Sequence, residues 1–245
     1  HYPLRRQRQM CIRDSLSPKP LFVYGRYLKT IRGLPQKHRK YTELKEGSVE
    51  QILAQRLTER FDAKGAKFTW VGGESVESLV LGSGRPFYAE IIEPTLRHTD
   101  ESEMFKEKEN GVILKEMMIM DEKPKKSPNF KVKVSAHVKF DVEVDEESLK
   151  ILKERLRNSE VRVVPLRKKP FTKKIYNFNV ERMDGKEAKI VFECDGGLNI
   201  KRLISGSDSD AGKDFLEISP SVSEIIGIKA NCDTFDILDV EVLNE

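Results

Sequence analysis

The clearest alternation in the chain runs through residues 131–144. Val132, Val134, Ala136, Val138, Phe140, Val142 and Val144 are interleaved with Lys131, Lys133, Ser135, His137 and Lys139. A period of two predicts a strand with one buried and one wet face. Two other stretches repeat at helical spacing. Val49, Ile52, Leu53, Leu57 and Phe61 follow the capping pair Ser48 and Gln51 and stop before Gly65. Leu149, Leu152 and Leu156 follow Asp145 and an acidic first turn that suits the helix dipole. Ser221 and Glu224 open a last short helix ending at Gly227.

Apolar runs of strand length surround these helices: Leu21 to Tyr27, Lys67 to Val71, Phe87 to Ile92, Val112 to Met118, Val161 to Val164, Ile175 to Val180, Ala188 to Cys194 and Phe235 to Val242. Met117 to Met120 reads as core, and a short helix is expected around Glu101 to Lys108. Short links such as Asp184-Gly185 join neighbouring runs in the manner of hairpins. The order predicts an α+β fold, a mixed and mostly antiparallel sheet flanked by helices.

One stretch departs from these patterns. In VGGESVESLVLGSGRPF, residues 71–87, the glycines Gly72, Gly73, Gly82 and Gly84 bracket the apolar run Leu79 to Leu81. The reading is turn, strand, turn, then a new strand from Phe87. Glu74 and Glu77 lie in it, and pattern alone leaves two outcomes open: a loop aiming polar groups into a cleft, or a hairpin with solvated carboxylates. Upstream, Arg26, Lys29, Arg32 and Gln36 follow the first strand, and Tyr27 among these cations is either core or a ring on which a base stacks.

Charge adds less than it first suggests. The chain has 44 Lys and Arg against 40 Asp and Glu, a formal net charge of +4. The first fifteen residues, HYPLRRQRQMCIRDS, hold four Arg and one Asp and resemble translated sequencing-adapter sequence, so they are expected to be a non-native tail. Without them 40 basic and 39 acidic residues remain, a net charge of +1, which argues nothing about nucleic acid. Local basic clusters at Lys37 to Lys40, at Lys123, Lys125 and Lys126, and at Arg167 to Lys169 with Lys173 and Lys174 would suit phosphates only if they converge on one face.

No apolar run approaches the roughly 20 residues of a membrane helix. The tail has no apolar segment of the secretory type. Cys11, Cys194 and Cys232 are widely spaced, with no disulfide framework and no paired-cysteine metal pattern, and the four histidines show no ligand spacing. The expectation is a cytoplasmic protein without metal or cofactor.

Three motifs in order carry a family resemblance. Gly72, Glu74, Val76, Leu81, Gly82, Gly84, Arg85, Pro86 and Phe87 match, without gaps, the GREDVDVRMLGxGRPF pattern of the tRNA pseudouridine(54/55) synthase family. Gly25 to Lys29 with Arg32, Pro35 and Gln36 resembles that family's GRYxKxxRxxPQ. GGLNIKRLISG, residues 196–206, and PSVSEIIG, residues 220–227, resemble its GGLYIKELISG and PSVSEILG. The resemblance implies a pseudouridine-synthase-like catalytic domain over residues 16–245, with tRNA as partner and no cofactor. Full-length members carry an N-terminal extension with a THUMP domain and a cysteine zinc site, which these residues do not resemble.

The departures fall on the chemistry. The family's catalytic aspartate position is Ser75, and Gly73 replaces the preceding arginine. The KxY motif, placed on Lys133-Val134-Ser135, puts Ser135 at the tyrosine position. Residues 206–219 replace a compact GDxGRTxPS segment, with Lys213 as the stand-in for its basic residue. Pseudouridine formation breaks a glycosidic bond and rejoins the base through carbon, with a carboxylate acting on the flipped-out nucleotide. A serine hydroxyl without a base does not replace it.

The first expectation is a catalytically impaired homologue, a pseudoenzyme that binds the tRNA T-arm through Arg26, Tyr27, Lys29, Arg32, Gln36, Arg85, Lys201 and Lys213. The second is an active isomerase using Glu74 or Glu77. The third is a protein-binding scaffold.

Overall fold

A computed structural model describes residues 19–37, 47–97, 110–124, 126–165, 169–206 and 216–243. The chain order is β1 (Leu21–Lys29), α1 (Val49–Phe61), β2 (Gly65–Trp70), β3 (Val80–Ile92), β4 (Val112–Met120), β5 (Phe130–Phe140), α2 (Glu146–Leu156), β6 (Ser159–Pro165), β7 (Phe171–Arg182), β8 (Glu187–Asp195), α3 (Ile200–Ser205), β9 (Leu216–Ser219), α4 (Val222–Ile226) and β10 (Ala230–Val242).

The strands form one sheet in the order β4-β1-β3-β10-β5-β8-β7-β6-β9, with β2 also paired to β3. Every pairing is antiparallel except β3 with β10, which meet in parallel at Val80 and Ile237. The α+β architecture expected from the pattern is the one observed. The parallel junction brings the chain's last strand beside its third and closes two antiparallel halves into one layer.

The alternating segment is β5, and its Val132, Val134, Ala136, Val138 and Phe140 are buried as expected. The strand ends there because Asp141 turns to bond Lys229, leaving Val142 52% exposed. Helix α1 starts on the Ser48 cap and ends at Asp62 in the left-handed region, and it buries Val49, Ile52, Leu53, Leu57 and Phe61. Helix α2 is capped by Asp145, whose carboxylate accepts from the Ser148 amide, an interaction that lowers its pKa.

Three sequence expectations change. Residues 80–92 are not strand, turn, strand but the single long strand β3. Its glycines take φ of +60° at Gly82 and +84° at Gly84, where other backbone comes close: a Cβ on Gly84 would stand 2.8 Å from the Tyr27 carbonyl oxygen, and one on Gly82 would run into the Leu238 carbonyl. These glycines serve an irregularity inside the sheet rather than a turn, beside the register break between Tyr27 and Lys29. The methionine run is only half core, since β4 is an edge strand with Met118 exposed while Met117 and Met120 pack inward. Residues 200–205, read only as part of a motif, form helix α3 on an Asn199 cap. The helix expected around Glu101 to Lys108 lies outside the described residues.

Candidate functional site

Residues 71–79 link β2 to β3, and buried cations donating to their carbonyls hold them in place. Lys29 Nζ donates to Ser75 and Val76 at 3.1 Å each and to Leu34 at 2.8 Å. Arg85 Nη1 donates to Val71 at 2.8 Å, and Gln36 Nε2 to Gly72 at 3.3 Å. Both cations come from paired strands, Lys29 on β1 and Arg85 on β3.

Glu74 sits at the centre, its side chain wholly buried. Its Oε2 accepts from Tyr27 Oη at 2.9 Å and from Arg85 Nε at 3.2 Å, while Lys29 Nζ lies 3.6 Å from Oε1. Burial, and then the Glu74 charge, raise the Tyr27 pKa well above its ordinary value. Burial lowers that of Lys29, opposed by Glu74. A carboxylate so enclosed acts as a structural counter-ion, with Oε2 held by Tyr27 and Arg85 and Oε1 buried without a hydrogen-bond partner among the described residues.

Above this cluster opens a cleft of about 550 Å³. Gly73, Glu74, Ser75 and Arg85 form one wall, and Gly197, Leu198, Asn199, Ile200 and Lys201 another. Phe130, Val132, Val134, Phe235 and Ile237, from the adjacent strands β5 and β10, supply an apolar floor. The Phe130 ring fits between two glycines: a Cβ on Gly72 would stand 2.6 Å from its Cζ, and one on Gly196 would also collide. Two motifs more than a hundred residues apart thus meet across one ring, and each needs a glycine there.

Of the residues singled out from sequence, Ser75, Glu74, Arg85 and Lys201 line the cleft. Ser75 Oγ accepts from the Glu77 amide at 3.4 Å. Tyr27 and Lys29 are 0% exposed, Gln36 6% and Arg85 1%, so these four form the support beneath the loop. The base-stacking reading of Tyr27 is corrected: its ring packs edge-on against Trp70 and has no open face.

Arg26 ties three strands together, donating to Ser83 Oγ at 2.9 Å and to the Gly84 and Val240 carbonyls at 3.0 Å each. Arg32 is more open, with 38% of its side chain exposed, and pairs with both oxygens of Asp236 at 2.8 Å. Glu77 is exposed and does not line the cleft. Lys213 lies outside the described residues.

Ser135 is not brought to the cleft. It pairs with Val191 and Asp236, on the face opposite Val132 and Val134. Alternation along a strand makes a one-residue change of register a change of face, so the position facing the cleft is Val134. Phe130, Val134, Asn199 and Phe235 are among the cleft residues that sequence reasoning did not assign to a site. The period-two pattern contained the signal for Val134, because it assigned that residue to the buried side.

Residues 22–241 match the family model described as Pus10, C-terminal. The chain is 33% identical to the tRNA pseudouridine synthase Pus10 of Korarchaeum cryptofilum over 91% of its length and 66% of that protein. With the namesakes from Nitrosopumilus maritimus and Methanocaldococcus jannaschii it shares 31% and 32%, over 91% and 92% of this chain and 59% and 54% of theirs. It therefore spans about half to two thirds of the length of these curated relatives. Among solved structures, that of a Cbf5-Nop10-Gar1 complex aligns with TM-score 0.46 and 12% identity, over 87% of this chain and 48% of that one. The three motifs and the extent of these matches place the chain in the tRNA pseudouridine(54/55) synthase family, as a Pus10 C-terminal region.

Proposed function

We propose that the chain is the catalytic-domain portion, residues 16–245, of a tRNA pseudouridine synthase homologue that engages the tRNA T-arm and turns over poorly. One observation carries the impairment: among the described residues the cleft offers no carboxylate with a solvent-exposed oxygen. Among the described lining residues Glu74 contributes the only carboxylate, and its side chain is buried against Lys29, Arg85 and Tyr27. Ser75, at the family's aspartate position, faces the same cleft, and among the described residues its hydroxyl bonds the Glu77 amide rather than a base. The second reading, an active isomerase using Glu74 or Glu77, needs Glu74 to leave two buried cations unpaired or Glu77 to enter from outside. RNA contact is assigned to the groups that reach the surface, Arg32 and Lys201 first.

A single-turnover assay on unmodified tRNA transcript, scoring pseudouridine chemically, tests this. Wild type is expected to be silent, and Ser75→Asp to gain activity by about a hundredfold or more over background. Activity in wild type that Glu74→Gln or Glu77→Gln abolishes would overturn the impaired reading. No tRNA binding at low salt would favour a scaffold instead.

A further inference from the structure

The cluster under the cleft is unbalanced in charge. Glu74 contributes one negative charge, and both Lys29 and Arg85 press on it, at 3.6 and 3.2 Å. Lys29 donates to three carbonyls, those of Leu34, Ser75 and Val76. A neutral amine has only two N–H groups, so three partners require the ammonium. Arg85 contributes a guanidinium cation. Two buried cations against one buried carboxylate leave a positive charge uncompensated where such charge is costly.

The cleft is where that charge is felt. Arg85, 1% exposed, spends Nε on Glu74 and Nη1 on Val71, and its Nη2 has no hydrogen-bond partner among the described residues although the side chain lines the cleft. Lys201 on the facing wall adds a further cation, with no carboxylate in ion-pair range among the described residues.

We propose that the cleft is a binding site for a small carboxylate monoanion, seated against Ser75, Arg85 and Lys201. One negative charge matches the buried excess. Arg85 has one nitrogen left to donate, Nη2, and Phe130, Val134 and Phe235 make a dianion with its larger hydration a poor occupant. The site stands on charge and geometry alone and does not require that the chain act on RNA.

The test titrates the full chain with sodium formate and sodium acetate, holding ionic strength constant with chloride, and repeats the series with inorganic phosphate. Melting temperature and the backbone amide signals of Gly73 and Ser75 are followed. Either carboxylate is expected to raise the melting temperature in a response that saturates within about 100 mM, with no effect of chloride and a smaller one of phosphate. Lys201→Met should weaken the response at least about fivefold. Ser75→Asp, which tethers a carboxylate at the same place, should melt above wild type and lose the response.

An equal response to chloride, or an unchanged response in both variants, overturns the site. A stronger response to phosphate overturns its assignment to carboxylates. None of these results decides tRNA binding, which the assay on transcript tests separately.

Discussion

Glu74 illustrates how a residue's meaning changes once its neighbours are known. Along the chain it is a carboxylate one position from the family's acid; in space it is the counter-ion that lets Lys29 and Arg85 be buried while they hold residues 71–76. Removing only its charge leaves both cations unpaired. Glu74→Gln is expected to cost about 3–5 kcal/mol of stability, read from the denaturant midpoint; a loss below about 1 kcal/mol would show that the cations are satisfied without it.

Tyr27 gives a second prediction from the same cluster. Its folded pKa is raised by burial and by Glu74, so the neutral phenol's contribution is fully present below the ordinary tyrosine value near 10 and is lost as pH climbs from there towards the folded value. Wild type should lose more stability than Tyr27→Phe above about pH 10, with Lys29 present in both. Parallel pH profiles for the two proteins would contradict this.

At the scale of elements, short pieces depend on their ends. Helix α4 has five residues and a complete capping box: Ser221 Oγ accepts from the Glu224 amide and Glu224 Oε2 from the Ser221 amide, both at 3.2 Å. A helix this short cannot hold itself by propagation. Ser221→Ala is expected to cost about 1 kcal/mol, measurable in chemical denaturation, and a neutral effect would mean that packing on α2 and α3 suffices.

Strand β3 shows the converse, an element whose continuity local sequence argues against. Two glycines at positive φ would end a strand in isolation. Here pairing with β1 and β2 on either side carries the strand to Ile92, and the glycines admit close carbonyls of neighbouring strands.

For the whole molecule, the formal net charge of +4 is too small to drive binding to RNA by itself, so any affinity has to come from local cations. If Arg32, Lys201 and their neighbours meet phosphates, affinity for tRNA should fall about tenfold or more between roughly 50 and 200 mM salt, in a gel-shift series. A salt-independent affinity would point away from phosphate contact. The sequence by itself determined the strand and helix periods, the caps at Ser48, Asp145 and Ser221, the α+β class and the kinship through three motifs, because each depends on spacing along the chain or on residue identity. Only the tertiary structure decided that Glu74 is enclosed, that Tyr27 is a support, that Val134 rather than Ser135 faces the cleft, and that Phe130 joins Gly72 to Gly196. Those facts depend on strand register and on contacts between segments far apart in sequence, which no local pattern encodes.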